Sequence, residues 1–210
     1  MSNSTSQTGQ SGQNSFESLL PDESATISLG NAIANAVLEL HRRGALPGQA
    51  LVIYLVGDLG AGKTTMSRGI VRGLGHSGAV KSPTFTLVEP YALSPCAVYH
   101  FDLYRISDAE EFEYIGVDNY FNQHNAVCLL EWPERGEGIV PLPDLTIMLG
   151  DSPTLSSSQE HDLNEAMGQR SLRLIAQGSV GMRLLEAIVL QCKAGGPLLQ
   201  TGAARENRPA

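Results

Sequence analysis

No run of apolar residues in this 210-residue chain approaches the roughly 20 needed to cross a bilayer, so no helical membrane span is expected. Cysteine is scarce. Cys96, Cys128 and Cys192 are odd in number and match no metal-ligand spacing, so reduced, buried thiols are expected in place of a disulfide framework. Positive charge is scarce too: 14 Lys and Arg stand against 22 Asp and Glu, for a net charge of −8. No five-residue window holds more than two Lys or Arg. Binding to nucleic acid gains from counterion release, which needs clustered Lys and Arg. A direct grip on DNA or RNA is therefore not expected, and any service to RNA should run through a protein partner. The opening stretch, MSNSTSQTGQSGQNS, holds no charged side chain and no apolar core. That fits neither a secretory signal nor an Arg-rich transit peptide, and a cytoplasmic setting without a membrane partner is the expectation.

What the chain does have is 42% hydrophobic residues over a length able to bury one core. Residues 1–15 read as a disordered polar tail, 16–193 as the folded domain and 194–210 as a loose tail, with a polar excursion at 151–169. Leu29, Ile33, Ala36, Val37 and Leu40 recur at helical spacing, with Asp22 or Ser24 to cap the start and Gly44 to stop the helix. LVIYLV (Leu51–Val56) is apolar on both faces, as a central parallel strand is. Strands are also expected at Phe85–Tyr91 and Ala97–Asp102. The five residues between them permit a hairpin but no parallel crossover, so the sheet should be mixed. Ser107 and Glu110 have capping-box spacing. AVCLLE (Ala126–Glu131), DLTIML and RSLRLIA read as strands, and SVGMRLLEAIVLQCK as a last helix. The expected class is α/β: a single three-layer domain around a mixed parallel and antiparallel sheet, which the glycine-rich GDLGAGKTT (Gly57–Thr65) after the central strand marks as a P-loop fold.

The stretch GDLGAGKTT follows Leu51–Val56 directly and opens a helix. Gly57, Gly62, Lys63 and Thr64 satisfy G-x-x-x-x-G-K-[ST]. Glycines let such a loop wrap tightly and turn successive N–H groups inward, and the following helix adds its positive N-terminus. Lys63 can reach the β- and γ-phosphates, and the Thr64 hydroxyl can ligate Mg²⁺. Such a site needs a further acid at the tip of a neighbouring strand. Asp102 and Glu131 both end apolar strands, at the edge where open α/β sheets bind ligands. Ser82, Thr84 and Thr86 offer hydroxyls in a loop stiffened by Pro83. In YHFDLYR, His100, Asp102 and Tyr104 alternate with Tyr99, Phe101 and Leu103, which sorts the polar residues onto one face. Trp132, the sole Trp, reads as packing, and Arg170 and Arg173 as surface charge within reach of a phosphate.

Taken in order, GDLGAGKTT, SPTFTLVEPY, HFDLYR, EEFEYIG and LLEWPE resemble the bacterial TsaE (YjeE) family over roughly residues 24–193. The resemblance implies a small ATPase that supports a TsaB–TsaD heterodimer, which itself transfers threonylcarbamoyl to adenosine 37 of tRNAs reading ANN codons. The tRNA is thus met only through that complex. It further implies that Asp58, Leu59, Gly60, Ala61, Gly62, Lys63, Thr64 and Thr65 bind the phosphates of ATP. Thr64 and Glu131 would ligate Mg²⁺, and Asp102 would serve hydrolysis. The start of the first helix, Asp22 to Thr26, would lie near the base, and Arg170 would touch the nucleotide. The polar head, the excursion and the C-terminal tail exceed the compact family core.

Three functions compete on this reading. The first is a Mg-ATPase that drives a partner complex, with Lys63, Asp102 and Glu131 as its catalytic groups. The second is a P-loop phosphotransferase, which would need an acceptor pocket and usually an Arg-bearing lid that the sequence does not offer. The third is an interaction module that binds ATP without hydrolysing it.

Overall fold

The computed structural model describes residues 14–106, 116–151 and 169–193. In chain order its elements are β1 (Ser15–Leu20), α1 (Glu23–Arg42), β2 (Leu51–Val56), α2 (Lys63–Gly73), β3 (Val88–Tyr91) and β4 (Ala97–Asp102). There follow α3 (Asp118–Phe121), β5 (Ala126–Glu131), a 3₁₀ turn (Pro133–Gly136), β6 (Leu145–Asp151), β7 (Arg170–Ala176) and α4 (Gly178–Lys193). The seven strands form one sheet in the order β1-β7-β6-β2-β5-β4-β3. Strands β6, β2, β5 and β4 run parallel. Strands β3, β7 and β1 attach antiparallel at the flanks, which makes the sheet mixed, as the short β3–β4 connection requires.

Alternation along each strand decides what each face of the sheet meets. Leu51, Ile53 and Leu55 of β2 and Val127 and Leu129 of β5 join the core beneath α1, α2 and α4, with Leu29, Ile33, Ile70 and Leu184. Val52, Cys128, Leu130 and Phe101 face the other way and pack with Phe121 of the short α3 and with Leu103 and Ile106. The layer on this second face is thin among the described residues.

Local chemistry explains the helix ends. The Asp22 carboxylate accepts the Ala25 N–H at 2.7 Å, and Glu23 adds negative charge to the first turn of α1. Helices α1 and α2 then pack almost backbone to backbone. A Cβ on Gly69 would lie 2.6 Å from the Ile27 carbonyl oxygen, so only glycine there allows α2 to sit this close. That contact fixes where the first residues of α2 stand.

Three sequence expectations change. Ser15, assigned to the tail, starts β1, an edge strand whose only fully buried side chain is Leu20, so its apolar signal is weak. Phe85–Leu87 is a turn and not strand: the Thr86 and Leu87 N–H groups both bond the Pro83 carbonyl, at 3.1 and 2.7 Å. Leu87 has φ +63, which breaks the extended run before Val88. The capping box at Ser107 and Glu110, residues 152–168 of the excursion, and residues 194–210 lie outside the described residues. Asp151 ends β6 and is not part of an excursion. Among the described residues no helix is long and apolar enough to cross a membrane.

Candidate functional site

The site forms where the parallel strands end. Strand β2 runs out at Val56 and the chain turns at Gly57, whose φ is +150. A Cβ on Gly57 would fall 2.2 Å from the Leu149 carbonyl oxygen of β6, so only glycine can leave the sheet here. The loop closes with the Ala61 N–H on the Asp58 carbonyl at 3.1 Å. Gly62, at φ +103, occupies the cap position of α2 and offers no side chain to the helix N–H groups, which stay open to a ligand.

Lys63 begins α2 and is 5% exposed. Its ammonium donates to the Gly57 and Asp58 carbonyls at 2.6 and 2.8 Å and lies 3.8 Å from the centre of the Trp132 ring. Burial pulls its pKa below the ordinary lysine value, against the attraction of Glu131, Asp102, Glu134 and Asp58. Trp132 reaches this place because its backbone is left-handed, φ +59, directly after Glu131. Tyr104 packs against the same indole, with ring centres 5.0 Å apart.

The two strand-end acids stand side by side, since Asp102 pairs with Glu131 in the β4–β5 register. Both are almost fully buried, at 4% and 3% exposure. Glu131 Oε2 accepts from the Thr64 hydroxyl at 3.2 Å, and Oε1 bonds His100 Nε2 at 2.8 Å. Asp102 Oδ2 accepts from the hydroxyls of Ser82 and Thr84, the latter at 2.8 Å. Its Oδ1 accepts the Tyr104 N–H at 3.1 Å. Every lone-pair direction used here is aimed by a neighbour, so both carboxylates are held in one orientation.

A cavity of about 390 Å³ opens among these groups. Its lining is Leu59, Gly60, Gly62, Lys63, Thr64 and Thr65 of the loop and α2, then Ser82, Thr84, Asp102, Tyr104, Glu131, Trp132 and Arg170. Asp58 and Ala61 shape the loop and do not line the cavity. Arg170, the first residue of β7, brings its Nε to 3.2 Å from where a Cβ on Gly62 would be. Arg173 points elsewhere and pairs with Glu17 at 3.2 Å. Thr26 is also absent from the lining. It is fully buried, and its hydroxyl donates to the Asp22 carbonyl at 3.1 Å, so in this conformation it cannot meet a ligand.

One half of the cavity is positive, from Lys63, Arg170 and the α2 N-terminus, and the other is anionic, from Asp102 and Glu131. The donor chemistry fits a magnesium–phosphate pair. Thr64 and Glu131 supply two adjacent hard oxygens. That is the sparse protein coordination magnesium takes when phosphates and water complete its shell. The sequence motif located the loop and both acids. Tyr104, placed by the sequence on the polar face of YHFDLYR, does line the cavity, and Trp132, read as packing, packs on Tyr104 and walls the cavity as well.

A family profile described as "Threonylcarbamoyl adenosine biosynthesis protein TsaE" matches residues 20–161. A Haemophilus influenzae protein named tRNA threonylcarbamoyladenosine biosynthesis protein TsaE is 40% identical over 173 residues, 82% of this chain and 97% of its own. The Bacillus subtilis protein of that name is 42% identical over 114 residues, covering 54% of this chain and 69% of its own. The crystal structure of Bacillus subtilis YdiB superposes with a TM-score of 0.60 at 26% identity, over 84% of this chain and 95% of that one.

The contact at Gly57 gives a direct check on the loop. Gly57→Ala is expected to lower stability by about 2 kcal/mol or more, through positive φ and collision with β6. Urea unfolding measures it, and an unchanged midpoint would mean the β2–β6 contact yields freely.

Proposed function

The chain belongs to the TsaE family, which assigns it a role in threonylcarbamoyladenosine biosynthesis, and from that premise we propose that it is a magnesium-dependent ATPase. In this reading it is a cytoplasmic protein that serves a TsaB–TsaD pair. Its turnover sustains that pair while it modifies adenosine 37 of tRNAs reading ANN codons, and the chain meets the tRNA only through the complex. One observation carries the ATPase reading: a single cavity in which a phosphate-binding loop faces two oriented carboxylates at the ends of parallel strands.

The residues divide the work as their surroundings suggest. Lys63 sits over the hollow of the loop with its charge poorly solvated, so an arriving phosphate satisfies it better than two carbonyls and an indole do. The α2 N–H groups cradle the phosphates, and Arg170 beside Gly62 adds a second positive charge. Thr64 and Glu131 would hold the magnesium ion, which supplies charge neutralisation across the phosphate oxygens. Asp102 holds the Ser82 and Thr84 hydroxyls and orients or activates the attacking water. Trp132 and Tyr104 wall the cavity and limit bulk water. Catalysis by such a site is mainly positioning and electrostatic stabilisation.

Lys63→Ala is expected to lower ATP affinity by about tenfold or more, the loss of one charged hydrogen-bonding partner. Calorimetric titration measures it, and full affinity in the variant would remove Lys63 from the phosphate site. Asp102→Ala is expected to bind ATP near the wild-type affinity and release phosphate about 100-fold more slowly. Wild-type turnover in that variant would contradict the role of Asp102. Phosphate release by the intact chain, weak alone, is expected to rise when the TsaB–TsaD pair and tRNA are added. Tight ATP binding without release in any mixture would favour a non-hydrolytic switch. Labelled phosphate on an acceptor would favour a phosphotransferase.

A further inference from the structure

We propose that His100 is a positioning residue for Glu131: it fixes one carboxylate oxygen so that the other is presented to the magnesium ion of a bound nucleotide. The proposal rests on the magnesium–nucleotide reading above and adds to it a residue that never touches the nucleotide.

His100 lies within β4 and is 0% exposed. Its Nε2 is 2.8 Å from Glu131 Oε1. Its Nδ1 is buried and has no hydrogen-bond partner among the described residues. A hydrogen on Nδ1 would be stranded without an acceptor, so the hydrogen belongs on Nε2, where it donates to Glu131. This tautomer is assigned from the hydrogen-bond pattern.

The surroundings show that the ring is not there to fill space. On the same face of the sheet stand Val98, Val127 and Leu129, all fully buried and apolar. An apolar side chain of similar volume would pack among them without leaving a bare nitrogen in a dry site. The imidazole therefore costs stability on one side, and its gain is the bond on the other. Register explains why that gain falls on Glu131. His100 and Asp102 share a face of β4, and β5 runs alongside so that Leu129 pairs with His100 and Glu131 with Asp102. The imidazole reaches one step up the neighbouring strand to the carboxylate. Glu131 is thus clamped between His100 on Oε1 and the Thr64 hydroxyl on Oε2. Such outer partners set ligand orientation, and their loss weakens metal binding about 10- to 100-fold in known sites.

The test uses the full chain with ADP and Mg²⁺ as probes. ADP affinity is measured by calorimetry across a magnesium series and again in EDTA. His100→Leu is expected to raise the half-saturating magnesium concentration about tenfold or more, while ADP affinity in EDTA stays at the wild-type level. His100→Gln carries an amide N–H to the place of Nε2 and is expected to recover most of the response. His100→Asn is too short to reach and is not. If the leucine variant does not fold, the comparison of Asn with Gln carries the test. A wild-type magnesium response in His100→Leu or His100→Asn overturns the assignment. So does an equal loss in EDTA, which would mark a purely structural role. A wild-type chain whose ADP affinity ignores magnesium overturns the magnesium–nucleotide reading itself, a failure visible without any variant.

Discussion

In-register parallel pairing of β4, β5 and β2 is the constraint on which the site depends. Leu55, one residue before the end of β2, pairs with Glu131, and Glu131 pairs with Asp102. The loop therefore starts beside two carboxylates at the same level. Side chains alternate along a strand, so a slip of one residue would turn Glu131 from the α2 side into the apolar layer of Phe101 and Leu130. Burying that carboxylate among apolar side chains, without Thr64 and His100 to bond it, is what makes the slip costly. The core residues that look purely structural thus set the spacing of the polar ones.

The same geometry concentrates charge where water is scarce. Lys63, Asp102 and Glu131 are 5%, 4% and 3% exposed. None is left alone: Lys63 has two carbonyls and an indole, Asp102 two hydroxyls and an N–H, and Glu131 a hydroxyl and an imidazole. Removing one partner from such a group strands the other in low dielectric. A site so arranged is stiff before any ligand arrives, and stiffness is what phosphoryl chemistry asks of a protein. The close α1–α2 packing at Gly69 serves the same end by fixing the helix that carries Lys63 and Thr64.

Much of this was legible in the residues. Strands β2, β4 and β5 begin and end where the apolar runs do, because each is largely buried, with acids at the tips of β4 and β5 and His100 as the polar interruption within β4. The glycine–lysine spacing located the loop, and of the two caps the sequence offered for the first helix, Asp22 and Ser24, Asp22 is the one used. What escaped had physical causes. Strand β1 is half polar and lives on cross-strand partners, so nothing in SFESLL alone reveals it. Without β1, the pairing of Arg173 with Glu17 was invisible, and the choice between Arg170 and Arg173 stayed open. Phe85 to Leu87 carries strand-forming residues, but the Pro83 carbonyl captures two N–H groups and bends the chain. Thr26 sits in the expected place along the chain, yet its hydroxyl turns back onto its own helix.

The most direct measurement is a crystal structure of this chain with ADP and Mg²⁺. The account predicts phosphates inside the loop from Gly57 to Thr64 and a cation held by the Thr64 hydroxyl and the Glu131 carboxylate. His100 Nε2 would remain bonded to the far oxygen of Glu131. A cation bound elsewhere, or a nucleotide seated away from this loop, would contradict it.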